Sequence, residues 1–370
     1  MATAWALAEL GRTDTVLIER ERTCGAHSSG RNAGMIRTAV EDPAIAVLAR
    51  ESRAILEKCS TDPDFPPIPF HRHGSFLLGA TDRIPAEVRE AGDHRFISMA
   101  DAAHRVALLD GLEEAPVLWT PGDGIVETHA YLEQLLARCR RAGVRVVSGT
   151  VAKRACVEEG RVQGVELDDG RLVCRNLVVA AGGWCAEWGA RSGLPIRLEP
   201  RRRHIVCTED LPGLCSDGWP WVWDLDSGFY FRPESCGLLW SPCDERPDHP
   251  GLPVRDPDCA EWLAEKIADV VPRAGRLRVV RTWAGHRTFA PDSRFVLGAD
   301  PRAEGWFWAA GLGGHGVTVA PAVGRRVAGD IVNAASPEPE FAFRAGLIPE
   351  DRGDHRSEVT PERSTTRRTG

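Results

Sequence analysis

One stretch governs how this chain folds: Thr282-Trp-Ala-Gly-His-Arg-Thr-Phe-Ala-Pro-Asp292, then Trp306-Phe-Trp-Ala-Ala-Gly-Leu-Gly-Gly-His-Gly316, then a helical run to Ile331. The second segment begins with five apolar residues, mostly aromatic, which is typical of a buried strand. From Val319 onward, a valine or isoleucine recurs at every fourth residue, which predicts one face of a helix. The stretch is therefore predicted to fold as strand, loop, strand, glycine turn and helix.

Two features of this stretch predict an anion-binding site. The glycines of residues 311–316 lie between a strand end and a helix N-terminus, where bare backbone can approach a ligand and free N–H groups favour negative charge. A glycine turn alone is a weak signal. Arg287 strengthens it, because a guanidinium is always charged and can bind a carboxylate through two parallel hydrogen bonds. The alternative for Arg287 is a salt bridge at a domain interface.

Length and composition favour a two-domain globular protein. The chain has 370 residues and 43% hydrophobic content, enough for a substantial core. It has no apolar run long enough to span a membrane and no secretion signal, so neither is predicted. The net charge of −7 argues against a nucleic-acid surface. The 11 Cys form no C-x-x-C pair, which favours reduced thiols, a cytoplasmic location and no metal site.

The N-terminal region is similar to the second half of a βαβ unit. Residues 2–10 are helical by composition, and residues 15–18 form a predicted strand that Glu19 closes. In a complete dinucleotide-binding fold, a strand and G-x-G-x-x-G would precede that helix, and the acid would bind ribose hydroxyls. That first segment is absent here. Either the start codon is placed too far downstream, which we favour because the later motifs are intact, or the product binds a dinucleotide poorly.

Two further segments could approach a cofactor closely. Residues 24–34 form a loop dense in small and polar residues, in which Arg31 makes phosphate contact plausible; the alternative is a flexible loop. Residues 176–184 read as a buried strand that ends in Ala180-Ala-Gly-Gly, a second place where bare backbone meets a strand end.

The remaining pattern separates two domains. Residues 61–122 are Pro-rich with one strand predicted at residues 75–78, and short alternating strands after Pro200 predict an antiparallel sheet. Asp168-Asp-Gly170 predicts a hairpin turn. We therefore assign residues 1–60, 123–199 and 285–345 to an α/β, Rossmann-like domain. Residues 61–122 and 200–284 form an α+β substrate domain with an antiparallel sheet, and residues 349–370 are predicted to be a disordered tail.

Several motifs occur in a consistent order along the chain. They are Val16-Leu-Ile-Glu-Arg20, His27-Ser-Ser-Gly-Arg-Asn-Ala33, Ala180-Ala-Gly-Gly-Trp184, Pro200-Arg-Arg-Arg203, Phe229-Tyr-Phe-Arg-Pro233, Thr282-Trp-Ala-Gly-His-Arg287 and Gly313-Gly-His-Gly316. Together they resemble the flavin amine oxidoreductases of the D-amino acid oxidase family, most closely the D-arginine dehydrogenase and glycine oxidase types. The resemblance covers residues 2–345 and implies an FAD-binding domain of the glutathione-reductase type.

The resemblance implies a role for each matching position. Cofactor contacts are expected from Glu19, Arg20, Ser28, Ser29, Gly30, Arg31, Asn32, Ala33, Val151, Ala180, Ala181, Gly182, Trp184, Gly313, Gly314, His315, Gly316, Val317 and Thr318. Arg287 would clamp the substrate carboxylate, helped by Tyr230 and Arg203. For Tyr230 the alternative is a packed ring with a bonded hydroxyl, and His315 could be only a turn residue.

The implied reaction is oxidation of the C–N bond of a small amino acid to an imino acid, by hydride transfer to flavin N5. Oxygen or a carrier would accept the electrons. The acidic residue that selects basic side chains in the D-arginine type is Ser75 here, and a pocket histidine and tyrosine become Met35 and Val40. A basic substrate is therefore not expected. The alternatives are a secondary-amine oxidase of the sarcosine or glycine type and a non-catalytic accessory subunit.

Overall fold

A computed structural model describes residues 1–210, 216–235, 237–274 and 278–349. The α-helices in these ranges are α1 (Ala2–Glu9), α2 (Pro43–Ser60), α3 (Ala86–Ala91), α4 (Met99–Arg105), α5 (Thr128–Arg141), α6 (Cys185–Arg191), α7 (Cys259–Ile267) and α8 (Gly316–Asn333). Helix α2 begins where the sequence favours a start, because the Asp42 side chain accepts hydrogen bonds from the backbone N–H groups of Ala44 and Ile45, and Pro43 occupies the first turn.

The strands of the first half of the chain are β1 (Val16–Glu19), β2 (Met35–Ile36), β3 (Phe70–His71), β4 (Ser75–Leu78), β5 (Arg95–Ile97), β6 (Val117–Thr120), β7 (Gly124–Val126), β8 (Arg145–Ser148), β9 (Ala152–Glu158), β10 (Arg161–Leu167) and β11 (Gly170–Val173). Those of the second half are β12 (Leu177–Val179), β13 (Glu199–Thr208), β14 (Trp221–Asp224), β15 (Phe229–Glu234), β16 (Gly237–Ser241), β17 (Arg246–Pro247), β18 (Val279–Phe289), β19 (Val296–Ala299) and β20 (Trp306–Ala310).

The predicted α/β part is confirmed by two sets of parallel strands. Strand β1 pairs with β8, and β12 pairs with β20, both in parallel; β19 adds to β20 in antiparallel fashion. Strands β9, β10 and β11 form a separate antiparallel sheet, and Asp168 and Asp169 make the predicted tight turn between β10 and β11. Short apolar strands followed by helices are typical of parallel sheets buried on both faces.

The substrate domain is built on one large sheet with the order β17-β13-β16-β15-β14-β4-β6-β5, to which β18 adds by pairing with β13. The predicted antiparallel sheet is confirmed except for one parallel pair, β4 with β14. Residues 61–122 contribute β5 and β6 to this sheet, as well as β4, the one strand that the sequence predicted there. Strands β5 and β6 were not predicted because their short, irregular segments lack a clear alternation of apolar and polar residues. Strand β18 runs on past residue 284, and the domain boundaries stay a prediction.

The predicted strand–turn–helix unit forms the centre of the molecule. Trp306 and Trp308 of β20 are fully buried, and Val319, Val323 and Val327 of α8 are at most 3% exposed, which confirms the predicted helix face. Helix α8 packs against α1 and α2. Gly324 permits this approach, because a Cβ there would lie 2.6 Å from the backbone carbon of Ala2.

Two sequence predictions fall partly on residues that the structure does not describe. The predicted tail, residues 349–370, lies outside the described residues except for residue 349. The last of the alternating strands predicted after Pro200, residues 276–281, is described as a strand from Val279 onward. Across the described ranges, none of the helices has the length and apolar character needed to cross a membrane.

Candidate functional site

A groove lies between the two parallel pairs. Its volume is about 860 Å³, and β1 forms one wall while β12 forms the other. This volume lies within the usual range of ligand pockets. The groove brings together many of the residues predicted to contact a cofactor: Glu19, Arg20, Ser28, Ser29, Val151, Ala180, Ala181, Gly182 and Trp184.

One end of the groove carries a cluster of aromatic and charged groups. The Arg20 guanidinium lies 4.6 Å from the centroid of the Trp184 ring, and the His27 ring packs edge-on against the same indole. His27 Nε2 is 2.8 Å from a Glu21 carboxylate oxygen, while buried His27 Nδ1 has no partner within the described residues. Neither residue was among the predicted cofactor contacts: His27 entered the sequence analysis only as the first residue of a motif, and Glu21 gave no signal there.

Glu19 occupies the end of β1, as predicted. One of its carboxylate oxygens accepts a hydrogen bond from the backbone N–H of Glu21 at 2.9 Å, which fixes the side chain at the groove wall. A carboxylate held at a strand end in this way can accept hydrogen bonds from ribose hydroxyls. Across the groove, Gly182 has φ of +55° and a Cβ placed there would meet nothing within 4 Å, so bare backbone faces open space.

The loop that contains Gly30, Arg31, Asn32 and Ala33 does not line the groove; it lies between the groove and β18. The Asn32 amide donates to the carbonyls of Ser28 and Ser29, and its oxygen accepts from the backbone of Gly34, so Asn32 holds the loop together. The Arg31 carbonyl packs so closely on β18 that a Cβ at Gly285 would approach it to 2.5 Å. The loop therefore connects the groove to the strand that carries Arg287.

The glycine turn is attached directly to the same strand. The backbone N–H of Gly313 donates to the carbonyl of Thr288 at 2.9 Å, next to Arg287. Helix α8 then begins at Gly316 with no side-chain cap on its first N–H groups, so its positive end is free to bind a negative group. The predicted positions Gly316, Val317 and Thr318 form this first turn.

Arg287 projects from β18 into a cluster of buried groups. Its Nη2 donates to the Tyr230 hydroxyl at 3.3 Å, so Tyr230 has both the packed ring and the bonded hydroxyl. Burial lowers the pKa of the Arg287 guanidinium, and the positive charge of nearby Arg203 lowers it further. Among the described residues, no carboxylate lies within salt-bridge distance of Arg287. The predicted alternative of a domain-interface salt bridge therefore finds no partner in these parts of the chain.

Arg203 has a different set of contacts. Its Nε donates to the Asp244 carbonyl at 2.9 Å, and its Nη2 pairs with Glu245. Burial opposes the charged form, but the nearby Cys243 and Tyr230, with Glu245, raise the pKa of Arg203 overall. Arg203 is thus paired with Glu245 and contributes to the site mainly through its positive charge.

Several residues close to Tyr230 and Arg287 were missed by the sequence analysis. The Arg37 guanidinium lies 4.6 Å from the Trp223 ring centroid, and the Trp223 ring packs 5.2 Å from the Tyr230 ring. Together with the hydrogen bond that Arg287 donates to Tyr230, these contacts form a continuous row: Arg37, Trp223, Tyr230 and Arg287. Only the folded sheet brings residue 37 to residues 223–287, so the sequence could not show it.

Ser75 and Val40, two of the positions expected to line the substrate pocket, are buried and contact other residues. Ser75 is fully buried, and its hydroxyl donates to the Asp123 carboxylate at 2.9 Å. Burial raises the pKa of Asp123 to about 6, against the effect of its hydrogen bond from Thr38. Val40 is 1% exposed and packs within a hydrophobic core cluster. Met35 packs partly exposed beside Trp223 and Tyr230, as expected for a pocket residue.

We expect Gly314→Ala to weaken carboxylate binding by about tenfold, because small displacements of a positioning group carry large costs. A Cβ at Gly314 would lie 3.1 Å from Arg287 Nε, so the guanidinium would have to move. The measurement is the dissociation constant of a simple carboxylate inhibitor. Gly329→Ala in α8, the helix that follows this turn, is the matched control, since a Cβ there meets nothing within 4 Å. Equal loss in both variants would contradict this role of Gly314.

The residues of the groove fit the FAD that the family resemblance implies. The Glu19 carboxylate and the Arg20–Trp184 pair lie at one end, bare backbone at Gly182 lines the wall, and orphaned His27 Nδ1 lacks a partner inside it. The free first turn of α8 supplies donors for an electron-rich edge.

Comparison with known proteins agrees with this fit. The family model described as DAO, FAD dependent oxidoreductase, matches residues 1–329. Pyruvate dehydrogenase phosphatase regulatory subunit, mitochondrial, from Mus musculus is 24% identical over 345 residues, which are 88% of this chain and 39% of that protein. Dimethylglycine dehydrogenase, mitochondrial, from Rattus norvegicus is 24% identical over 363 residues, 90% of this chain and 42% of that protein. The chain spans about two fifths of the length of these curated relatives.

Among solved structures, L-proline dehydrogenase from P. horikoshii matches with a TM-score of 0.80 and 23% identity, and the match covers 91% of each chain. This likeness confirms the predicted fold class, an FAD-binding Rossmann-like domain with an α+β substrate domain.

Proposed function

This chain belongs to the FAD dependent oxidoreductase family, DAO, and from that premise we propose that it oxidises the C–N bond of a small amino acid or amine that carries one carboxylate. Its cofactor is FAD. The product would be an imine or imino acid, which water hydrolyses.

One observation carries the proposal: the partly buried Arg287 guanidinium has no acid within salt-bridge distance among the described residues. A buried charge is stable only when it is paired and hydrogen-bonded. The Tyr230 hydroxyl satisfies one of the five N–H donors of Arg287, and the remaining donors match the two oxygens of a carboxylate. A substrate carboxylate would therefore complete the site.

Each residue of the site has a defined part in this chemistry. Bound FAD supplies the acceptor for the two electrons that leave the substrate. Arg287 and Tyr230 hold the carboxylate and so fix the direction of the adjacent C–N bond. The turn at Gly313 and the free first turn of α8 present backbone N–H groups to negative charge. Positioning is the main contribution of these residues.

The pocket wall favours an uncharged, apolar remainder of the substrate. Trp223 and Met35 present aromatic and apolar surface beside Tyr230. The nearby acids Glu41 and Glu245 are already paired with Arg37 and Arg203, so a basic substrate side chain finds no free acid among the described residues. Dimethylglycine and proline, named for two of the similar proteins, each carry one carboxylate and an alkylated nitrogen, which supports this class.

A substrate panel tests the proposal. The FAD-loaded protein would be mixed without oxygen with D-amino acids, glycine, sarcosine, dimethylglycine and proline, and the loss of yellow flavin colour recorded. Reduction by at least one monocarboxylate amine, and none by its amide or by D-arginine, is expected. Readmission of oxygen then separates an oxidase, which releases peroxide, from a dehydrogenase, which requires a dye. Failure of every compound to reduce the flavin would contradict the proposal.

A second candidate function is a non-catalytic accessory role. It is supported by the similar mouse protein, which is named a regulatory subunit. This role would be favoured over catalysis if the purified protein bound no FAD and oxidised none of the amines in the panel.

We expect kcat/KM to rise with pH between about 6 and 9, because the amine must lose its proton before oxidation. His315 does not produce this rise: burial, with nearby Arg37, lowers the pKa of His315 to about 4, so its ring stays neutral across that window. The measurement is a pH–rate profile of wild type and His315→Gln. The two midpoints should coincide; a falling profile, or a midpoint that moves in the variant, would contradict this account.

A further inference from the structure

We propose that the Arg37–Glu41 ion pair is a specificity determinant that limits the site to substrates with a single acidic group. The inference rests on the proposed function, since it assumes that Arg287 binds a substrate carboxylate. It concerns the second guanidinium, Arg37, which lies at the other end of the row that runs through Trp223 and Tyr230 to Arg287.

Arg37 is positioned as firmly as Arg287. Its side chain is 6% exposed, its Nε donates to the Ala39 carbonyl at 2.8 Å, and its guanidinium covers the Trp223 ring. Trp223 packs on Tyr230, which in turn binds Arg287. A substrate held by Arg287 and extending along Trp223 would therefore point its far end toward Arg37.

Glu41 sets the charge that the far end of the substrate would meet at Arg37. Its carboxylate is 2.8 Å from Arg37 Nη2 and is 45% exposed, so it neutralises the guanidinium from the solvent side. Partial desolvation raises the pKa of Glu41, but the Arg37 charge and hydrogen bond lower it more, which keeps the carboxylate ionised at neutral pH.

The balance of charges then permits only one anion. Arg203 is paired with Glu245, Arg37 is paired with Glu41, and His315 is neutral, so Arg287 carries the one uncompensated charge among these groups. A substrate with one carboxylate neutralises it. A second carboxylate would meet the Glu41 carboxylate and be repelled.

The test removes the negative charge of Glu41 while keeping its shape. Butyrate and succinate are matched probes, because both have four carbons and differ by one carboxylate. Their dissociation constants for the FAD-loaded protein would be measured by titration calorimetry, which does not depend on turnover. In Glu41→Gln, we expect succinate affinity to increase about tenfold relative to butyrate.

Two further variants make the result specific. Glu51→Gln removes an equal charge from the partly exposed Arg326–Glu51 pair of α2 and α8, and should leave the ratio of the two affinities unchanged. Adding Arg37→Met to Glu41→Gln should abolish the gain in succinate binding.

The outcomes separate this inference from the proposed function. If butyrate binds in an Arg287-dependent manner but Glu41→Gln leaves the affinity ratio unchanged, the inference is overturned and the proposed function stands. If butyrate binding does not depend on Arg287, both are overturned.

Discussion

Replacing Arg287 with Ala should lower kcat/KM by about 30- to 900-fold, which corresponds to roughly 2–4 kcal/mol of transition-state binding. The loss is large because the guanidinium is partly buried beside Tyr230, and its charge-assisted bonds to the substrate carboxylate form largely away from bulk water. The measurement is steady-state kinetics with whichever amine reduces the flavin most efficiently in the substrate panel.

Arg287→Lys is the informative control. It retains the positive charge but loses the planar fork that can bind two oxygens, so it should recover only part of the lost activity. Tyr230→Phe should have a smaller effect than either, since it removes a single neutral hydrogen bond at 3.3 Å. Unchanged kinetics in Arg287→Ala, with FAD bound and the fold intact, would show that the carboxylate is held elsewhere.

The second large effect concerns stability. Trp308→Ala should lower the free energy of unfolding by about 3–5 kcal/mol, because a fully buried ring is removed from the central strand β20. The substitution also leaves the buried Asp300 carboxylate without the indole N–H that donates to it at 2.9 Å. Chemical denaturation followed by circular dichroism would provide the measurement.

Two variants test the cause of that loss. Trp308→Phe keeps an aromatic ring and loses the hydrogen bond to Asp300, whose carboxylate still pairs with Arg302, so its cost should be clearly smaller. Trp262→Ala removes an indole that is only partly buried and should cost less than Trp308→Ala. Equal stability of Trp308→Ala and wild type would mean that β20 does not form the core described here.

Much of the fold was accessible from local patterns. The aromatic run of β20, the four-residue periodicity of α8 and the Asp-Asp-Gly turn after β10 each carry their own signal, and each is confirmed. Strands β5 and β6 were missed, because they are short segments stabilised by pairing across the large sheet. The parallel pairing of β4 with β14 joins residues about 150 apart in the chain, which no local pattern predicts.

The positions of candidate site residues were predictable where a sequence motif falls on a recognisable backbone feature, such as a strand end or a glycine turn. Arg287 and Tyr230 lie together as the resemblance implied, and Glu19, Ala180 and Gly182 line one groove. Side chains whose position depends on distant partners were not predictable. Their contacts, such as those of Arg37 with Trp223, exist only after the two domains have folded.

The most direct test of the central claim is whether a small carboxylate binds at Arg287 beside the flavin. Butyrate would be titrated into the FAD-loaded wild type and Arg287→Ala proteins while the visible absorption of the flavin is recorded. The account predicts a saturable spectral change in the wild type that is lost in the variant. An identical saturable change in both proteins would contradict it.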